Sequence, residues 1–372
     1  MVNIFKKNNF KLKVLECDIY LLLLSLGGFS PFGVYNIIIS IIILLRCLMT
    51  TYSLNFLSKQ ELFYFFLLLL INIVFIYHMF YPEHIRYVWI VRYSVIFVFL
   101  YIIVACNIRI NVKNLKYISL VIFIYIASDI YQLLFDSALF LNGQYRTYGF
   151  SFSRIVLSDF VILFVFLLIM IYESDNEIDF KTRIYIYVLK FFCITHIYLS
   201  GSRSFIIVIL LLCFYKIWVQ SHWIRKASLI GFFAFGFIIL QMINERFSMM
   251  FDTSFGSNLS RMHFINLGYE LWQNNFYFGS GPGYSIDFLS SLVIEDKAAM
   301  HFDLLLILSE IGFFGFVVFI MLFVKVRNVF NVIMLIMLFL ISLQNSLYYT
   351  AYFMLIILAI HSLNFKGCCV EK

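Results

Sequence analysis

The chain has 372 residues, 63% of them apolar and only 13% charged, with a mean hydropathy of +0.96. A soluble domain of this length carries about 25% charged residues, so a soluble enzyme is excluded. The 27 basic and 20 acidic residues leave a formal charge of +7, which in so apolar a chain bears on membrane orientation rather than on nucleic acid.

From the N-terminus, Met1 to Lys13 is polar and carries Lys6, Lys7, Lys11 and Lys13. The apolar segment that follows has no small-residue cleavage site and reads as an uncleaved first span. Runs long enough to cross a hydrocarbon core about 30 Å thick mark twelve spans, near 16–30, 33–50, 61–81, 86–106, 117–135, 155–172, 184–200, 205–219, 228–243, 303–323, 329–345 and 348–363. The expected fold is therefore all-α, a polytopic membrane protein forming a single transmembrane domain over 1–372. There is no internal repeat, low-complexity tract or second domain. Most basic residues, from Lys6 and Lys7 through Arg109, Lys113 and Lys181 to Lys366 and Lys372, fall on one side. The positive-inside bias makes that side, and both termini, cytoplasmic.

The other basic residues are Lys190 inside a span, and Arg86, Arg92, Arg146, Arg154, Arg203, Arg246, Arg261 and Lys297 at or near the outer face. A planar, permanently charged guanidinium suits bidentate binding of phosphate. Each one alone is accounted for by a nearby carboxylate or a lipid headgroup. As a set they point to an outward-facing anion site. The seven cysteines lack zinc or haem spacing and read as packing residues or idle thiols.

Two outer loops are long, about 136–154 and 244–302, the second between the ninth and tenth spans; structureless loops of that length are usually functional. Three stretches there carry candidate chemistry. Ser200-Gly201-Ser202-Arg203-Ser204 joins two spans; its small residues allow backbone amides and Arg203 to meet a phosphate, although taken alone a plain inter-helix turn is the preferred account. From Arg261, the run RMHFINLGYELWQN sets Met262, Ile265, Tyr269 and Trp272 on one helical face. That helix is expected to lie along the membrane surface and to stop at Gly279-Ser280-Gly281-Pro282-Gly283, where glycine permits positive φ or close approach to a ligand. Finally His301 precedes Asp303 at the mouth of the tenth span, followed by Glu310-Ile311-Gly312-Phe313-Phe314-Gly315. Of the seven histidines, His301 is the best placed for a general base; His196 and His78, inside spans, read as packing or hydrogen-bonding residues.

This order of motifs, over about 195–320, resembles the O-antigen polymerase and ligase superfamily, and the size, single large loop and aromatic-rich spans look more like its polymerase (Wzy type) branch. The resemblance implies a GT-C-like, metal-independent glycosyltransferase without cofactor, at the periplasmic face of the bacterial inner membrane. Its donor would be an oligosaccharide on undecaprenyl diphosphate and its acceptor a lipid-linked repeat unit, with a polysaccharide co-polymerase chain-length regulator as partner. Arg203 and Arg261 match the arginines expected to hold the donor diphosphate, and His301 the position that deprotonates the acceptor. Where relatives often show His-Asn-x-Tyr, this chain reads His301-Phe302-Asp303-Leu304. Arg146 and Arg154 join the substrate-binding set on charge and location, with Gly281 and Gly283 from the turn. Sugars stack on aromatic faces, for which Tyr145, Tyr148, Phe150, Trp272, Tyr277 and Tyr284 are available. Two alternatives stand beside the polymerase. A ligase moving finished glycan to lipid A–core shares the motifs. A lipid-linked oligosaccharide flippase would use intramembrane charges such as Asp129, Asp159 and Lys190, but the large outer loop favours an enzyme.

Overall fold

The structure is a computed structural model that describes residues 13–16, 38–45, 47, 65–66, 68–73, 75–76, 87–106, 108–135, 139–141, 144–149, 155–176, 178–220, 265–285, 288, 303–325 and 350–363. The expected spans 228–243 and 329–345, and nearly all of 16–30, lie outside them. Among the described residues the chain is mostly helical. The main elements are β1 (Lys13–Glu16), α1 (Tyr87–Cys106), β2 (Ile108–Asn111), α2 (Lys116–Leu134), β3 (Leu139–Leu141), β4 (Gln144–Arg146), α3 (Ile155–Asp175), α4 (Phe180–Ser200), α5 (Arg203–Gln220), α6 (Asp303–Lys325) and α7 (Thr350–Ser362). A further helix covers 265–274, and helical residues occur within 38–47 and 65–76. The stretches Lys116–Leu134 and Leu304–Leu322 are long and apolar enough to cross a membrane.

The α3 helix forms the centre. Every residue from Ser158 to Ile171 is buried, which follows from a run that is apolar all round. It contacts α2, α4, α5 and α7. Aromatic edges knit the surrounding helices: Phe160 meets Phe205 of α5 at 5.0 Å, Phe97 of α1 meets Phe319 of α6 at 6.1 Å, and Phe319 stacks on Phe353 of α7 at 6.3 Å. Lys190 of α4, one of the charges a transport path would use, is bonded to Glu173 of α3 at 2.5 Å. The helix-packing role read for His196 becomes a specific one, described below.

Two short sheets qualify the all-α expectation. β1 pairs in parallel with β2, Lys13 opposite Ile108 and Glu16 opposite Asn111. The sequence Ile-Arg-Ile-Asn explains the strand: β-branched residues alternate with polar ones, and Ile108 and Ile110 are buried while Arg109 and Asn111 are half exposed. The amide of Ile110 donates to Ser362 Oγ at 2.7 Å, and Asn176 Nδ2 donates to Val112 O at 3.4 Å. The ends of α1, α3 and α7 assigned to the cytoplasm thus share one face with the N-terminal strand. On that face Asp179 caps α4 by accepting from the Thr182 amide at 3.3 Å, and hydrogen bonding from the Thr182 hydroxyl first, then from backbone amides, holds its carboxyl below the usual range. β3 and β4 form an antiparallel hairpin in the loop between α2 and α3, with Leu139 opposite Arg146.

The α6 helix is broken. Gly312 sits at φ 69° and ψ −174°, a region essentially confined to glycine. In an unbroken helix the amides of Phe313 and Phe314 would donate to Ser309 O and Glu310 O. Instead they donate to Phe276 O (2.9 Å) and Tyr277 O (3.3 Å), while the abandoned carbonyls accept from the amides of Ser280 (2.8 Å) and Gly281 (3.0 Å). The chain after the 265–274 helix therefore enters the gap and satisfies both ladders, the condition for irregular backbone within an apolar bundle.

Candidate functional site

The C-terminal ends of α2 and α4 and the N-terminal ends of α3 and α5 converge on the Ser200–Arg203 turn. Gly201 ends α4 with φ 72° and its amide donates to Tyr198 O at 3.1 Å; a left-handed residue at this position is the usual glycine helix stop. α5 then starts at Arg203. From beneath, Asp159, the fifth residue of α3, accepts a hydrogen bond from Ser200 Oγ on Oδ1 (2.7 Å) and one from Ser202 Oγ on Oδ2. Behind it His196 Nδ1 bonds Asp129 Oδ2 at 2.7 Å, and His196 Nε2 lies 3.9 Å from Asp159 Oδ1. Asp129, Asp159, His196 and Ser200 are all fully buried. Tyr125 packs edge-on against the imidazole, with ring centroids 5.4 Å apart.

Above this node runs the strap 146–149. Gln132 clamps it twice, Nε2 donating to Gly149 O (2.6 Å) and Oε1 accepting from the Tyr148 amide (2.9 Å). Ser128 Oγ also donates to Gly149 O at 2.7 Å, and the Thr147 amide donates to Leu199 O at 3.2 Å. Gly149, at φ 53°, approaches so closely that a Cβ there would fall 2.5 Å from Tyr125 and 2.9 Å from His196. So fastened, the strap lays Arg146 against the turn: a Cβ on Gly201 would lie 3.0 Å from Arg146 Nε and 3.3 Å from its Cζ.

The second part of the site is the glycine turn. Gly279, Gly281 and Gly283 have φ of 74°, 106° and 88°, the positive-φ option raised by their spacing. The turn is docked on the break in α6, with Gly281 and Gly283 buried. Glu310 Oε2 accepts from Tyr93 OH of α1 at 2.8 Å, Oε1 accepts from Ser285 Oγ, and the amides of Gly283 and Ser285 also donate to this carboxylate. The Glu310–Gly312 motif thus holds the turn through both side chain and backbone. The helix before it faces inward with Gly268 and Leu271, and with Ile265 and Trp272 half buried, whereas Tyr269 is exposed. Tyr269 therefore departs from the face expected for it, since the buried side runs through Gly268 and Leu271 instead. Beside the turn Phe276 stacks on Phe313 (5.5 Å, 13° between planes) and Tyr277 on Phe314 (5.9 Å, 25°), leaving exposed rings at the break.

Of the residues picked out in the sequence, Arg146 and the backbone of Arg203 meet at one turn, and Gly281 and Gly283 meet Glu310. Arg92, from the outer basic set, lies over the Trp89 ring at 4.5 Å on α1. Arg154, Arg261 and His301 lie outside the described residues. Sequence reasoning passed over Asp129, His196 and Asp159 as a group and missed Tyr93, Gln132 and Ser285. The available signal was that ionisable residues within apolar spans are costly and rarely idle; which of them pair was not visible.

Residues 188–320, from α4 through most of α6, match a family model described as O-antigen ligase. No curated protein matches the chain. The matched segment contains both the Ser200–Arg203 turn and the glycine turn with its helix break. It supports the O-antigen polymerase and ligase superfamily, a group of glycosyltransferase-like membrane enzymes, and does not separate polymerase from ligase.

Proposed function

We propose that the chain is an O-antigen polymerase of the bacterial inner membrane, with both termini cytoplasmic and 244–302 as a periplasmic loop. It would join oligosaccharide repeat units carried on undecaprenyl diphosphate. The observation that carries the reading is the contact of Arg146 with Gly201 at the turn where α5 begins with Arg203, within the outer ends of four helices. In the reaction an acceptor hydroxyl oxygen attacks the anomeric carbon of the donor. The new glycosidic bond forms as the bond from that carbon to the phosphate oxygen breaks, and undecaprenyl diphosphate leaves. Arg203 and Arg261, assisted by Arg146 and Arg154, stabilise the negative charge growing on the leaving diphosphate. Preorganised guanidinium groups in a site screened from water are suited to that task without a metal. His301 takes the proton of the attacking hydroxyl. Gly281 and Gly283 shape the floor against which the loop is held, and exposed rings such as Tyr277 offer stacking faces to the glycan. A co-polymerase chain-length regulator is the expected partner.

The family description favours a second reading, the ligase that moves finished glycan to lipid A–core. A lipopolysaccharide gel of a strain lacking the gene, with and without complementation, separates the two. The polymerase predicts core bearing a single repeat unit; bare core without a repeat overturns it and leaves the ligase or a flippase. In the complemented strain, Arg203→Ala, Arg261→Ala and His301→Ala each abolish long polymer at equal protein level. Arg261→Lys is also defective, because a point charge lacks the bidentate fork. A wild-type length distribution in any one of them removes that residue from the site.

A further inference from the structure

The buried node under the turn is not used by the transfer chemistry above, and it is expensive. Asp129 and Asp159 are two carboxylates at zero exposure with one imidazole between them. Burying an ion costs several kcal/mol unless its lone pairs are met by close partners. A turn of Ser-Gly-Ser joining two helices needs no such group, since its serines can bond helix carbonyls, as Ser200 Oγ does to Ile197 O at 2.8 Å. Yet Asp159 takes one hydroxyl on each oxygen, from the residues directly before and after Gly201. That two-point grip fixes the rotation of the turn as well as its position. Gly201 in turn is the residue against which Arg146 packs. Asp159 is itself backed by His196, whose ring is held at the opposite nitrogen by Asp129 and walled by Tyr125 and Gly149. Elements α2, α3, α4 and the strap therefore meet around one imidazole, directly beneath the turn against which Arg146 packs. Among the described residues, Asp129 Oδ1 and His196 Nε2 have no hydrogen-bond partner. A buried node left partly unsatisfied is the kind of local cost a fold retains at a functional site.

We infer that Asp159, backed by His196 and Asp129, is a positioning residue for diphosphate recognition: it holds the Ser200–Ser202 turn so that Arg146 and the start of α5 face a lipid-linked diphosphate together. The inference rests on the transfer reaction proposed above. It adds that the affinity of the site for the diphosphate is set from inside the bundle, by a residue that never touches the ligand.

The test uses the full-length protein in lipid nanodiscs, with farnesyl diphosphate as probe and farnesol as the phosphate-free control, both titrated calorimetrically. Asp159→Asn keeps the side-chain shape and removes the charge; Ser202→Ala removes one of the two gripping hydroxyls. Each is expected to weaken farnesyl diphosphate binding about tenfold, the effect of losing one charge-assisted hydrogen bond, with farnesol binding unchanged and the protein still folded at the titration temperature. The double variant is expected to lose less than the sum of the two singles, because the bond that Ser202→Ala removes is one of the two that Asp159→Asn weakens. Should Asp159→Asn fail to fold, Ser202→Ala carries the test alone. Wild-type affinity in the folded variants, or equal losses for farnesol and farnesyl diphosphate, overturns the inference while leaving the transferase reading in place. A wild-type protein that does not prefer the diphosphate to the alcohol overturns both.

Discussion

Gly312 and Gly279 are the least replaceable residues described. A Cβ on Gly312 would fall 2.4 Å from Gly279 N and from Tyr277 O, and one on Gly279 would fall 2.4 Å from the carbonyl carbon of Glu310. Both conflicts are with backbone, so no rotamer change relieves them. Gly312→Ala is expected to destabilise the protein by about 3 kcal/mol or more, since the backbone conformation alone accounts for 1–3 kcal/mol, and to lower the melting temperature of the purified protein in detergent. An unchanged melt would mean that Gly312 does not occupy the left-handed break in α6. Tyr93→Phe leaves packing almost intact and removes one donor from the Glu310 carboxylate, an expected loss of about 1.5–3 kcal/mol in the same assay. Gly201→Ala forces a side chain into left-handed backbone, costing about 1–2 kcal/mol, and pushes against Arg146. Its signature is loss of polymer length out of proportion to loss of protein level on an immunoblot.

At the scale of elements, hydropathy was a good guide to where helices run and a poor one to how they end. α1 to α5 follow the apolar runs because twenty or so apolar residues can satisfy their backbone in a bilayer only as helix. β1 and β2 escaped notice because each is four residues long and flanks a helix, although the alternation in Ile108–Asn111 was present to be read. The candidate site was legible in part for the same reason. Glycine spacing announced positive φ at 279, 281 and 283, and charge with location singled out Arg146. Nothing local pairs Asp129 with His196, 67 residues on, or Tyr93 with Glu310, 217 residues on. Such contacts are made by helix packing, and one sequence records the surfaces but not which surfaces meet.

For the whole molecule, the orientation expected from the basic residues makes two faces distinguishable. Asn274, at the end of the outer helix, and Lys181, at the start of α4, are both exposed. In a cysteine-free background, Asn274→Cys should react with a membrane-impermeant maleimide on intact spheroplasts, and Lys181→Cys only after the membrane is opened. The reverse result would put the glycine turn in the cytoplasm and end the assignment of a periplasmic transfer site. Hydrogen bonds from Ile110 and Asn176 tie β2 and the ends of α3 and α7 together on one face.

The exchange of ladders at Gly312 is made by main-chain atoms, so it reads no side chain beyond the two glycines that permit it. Apart from the Ser285 hydroxyl held by Glu310 and the rings stacked on Phe313 and Phe314, the segment can therefore diverge in composition while its seat on α6 stays the same. Graft experiments turn on this property. A loop taken from a relative acting on different sugars should seat when it keeps glycine at 279 and a hydroxyl at 285 for Glu310, and should fail when glycine is missing at 279 or 312, however similar the rest of the transplant.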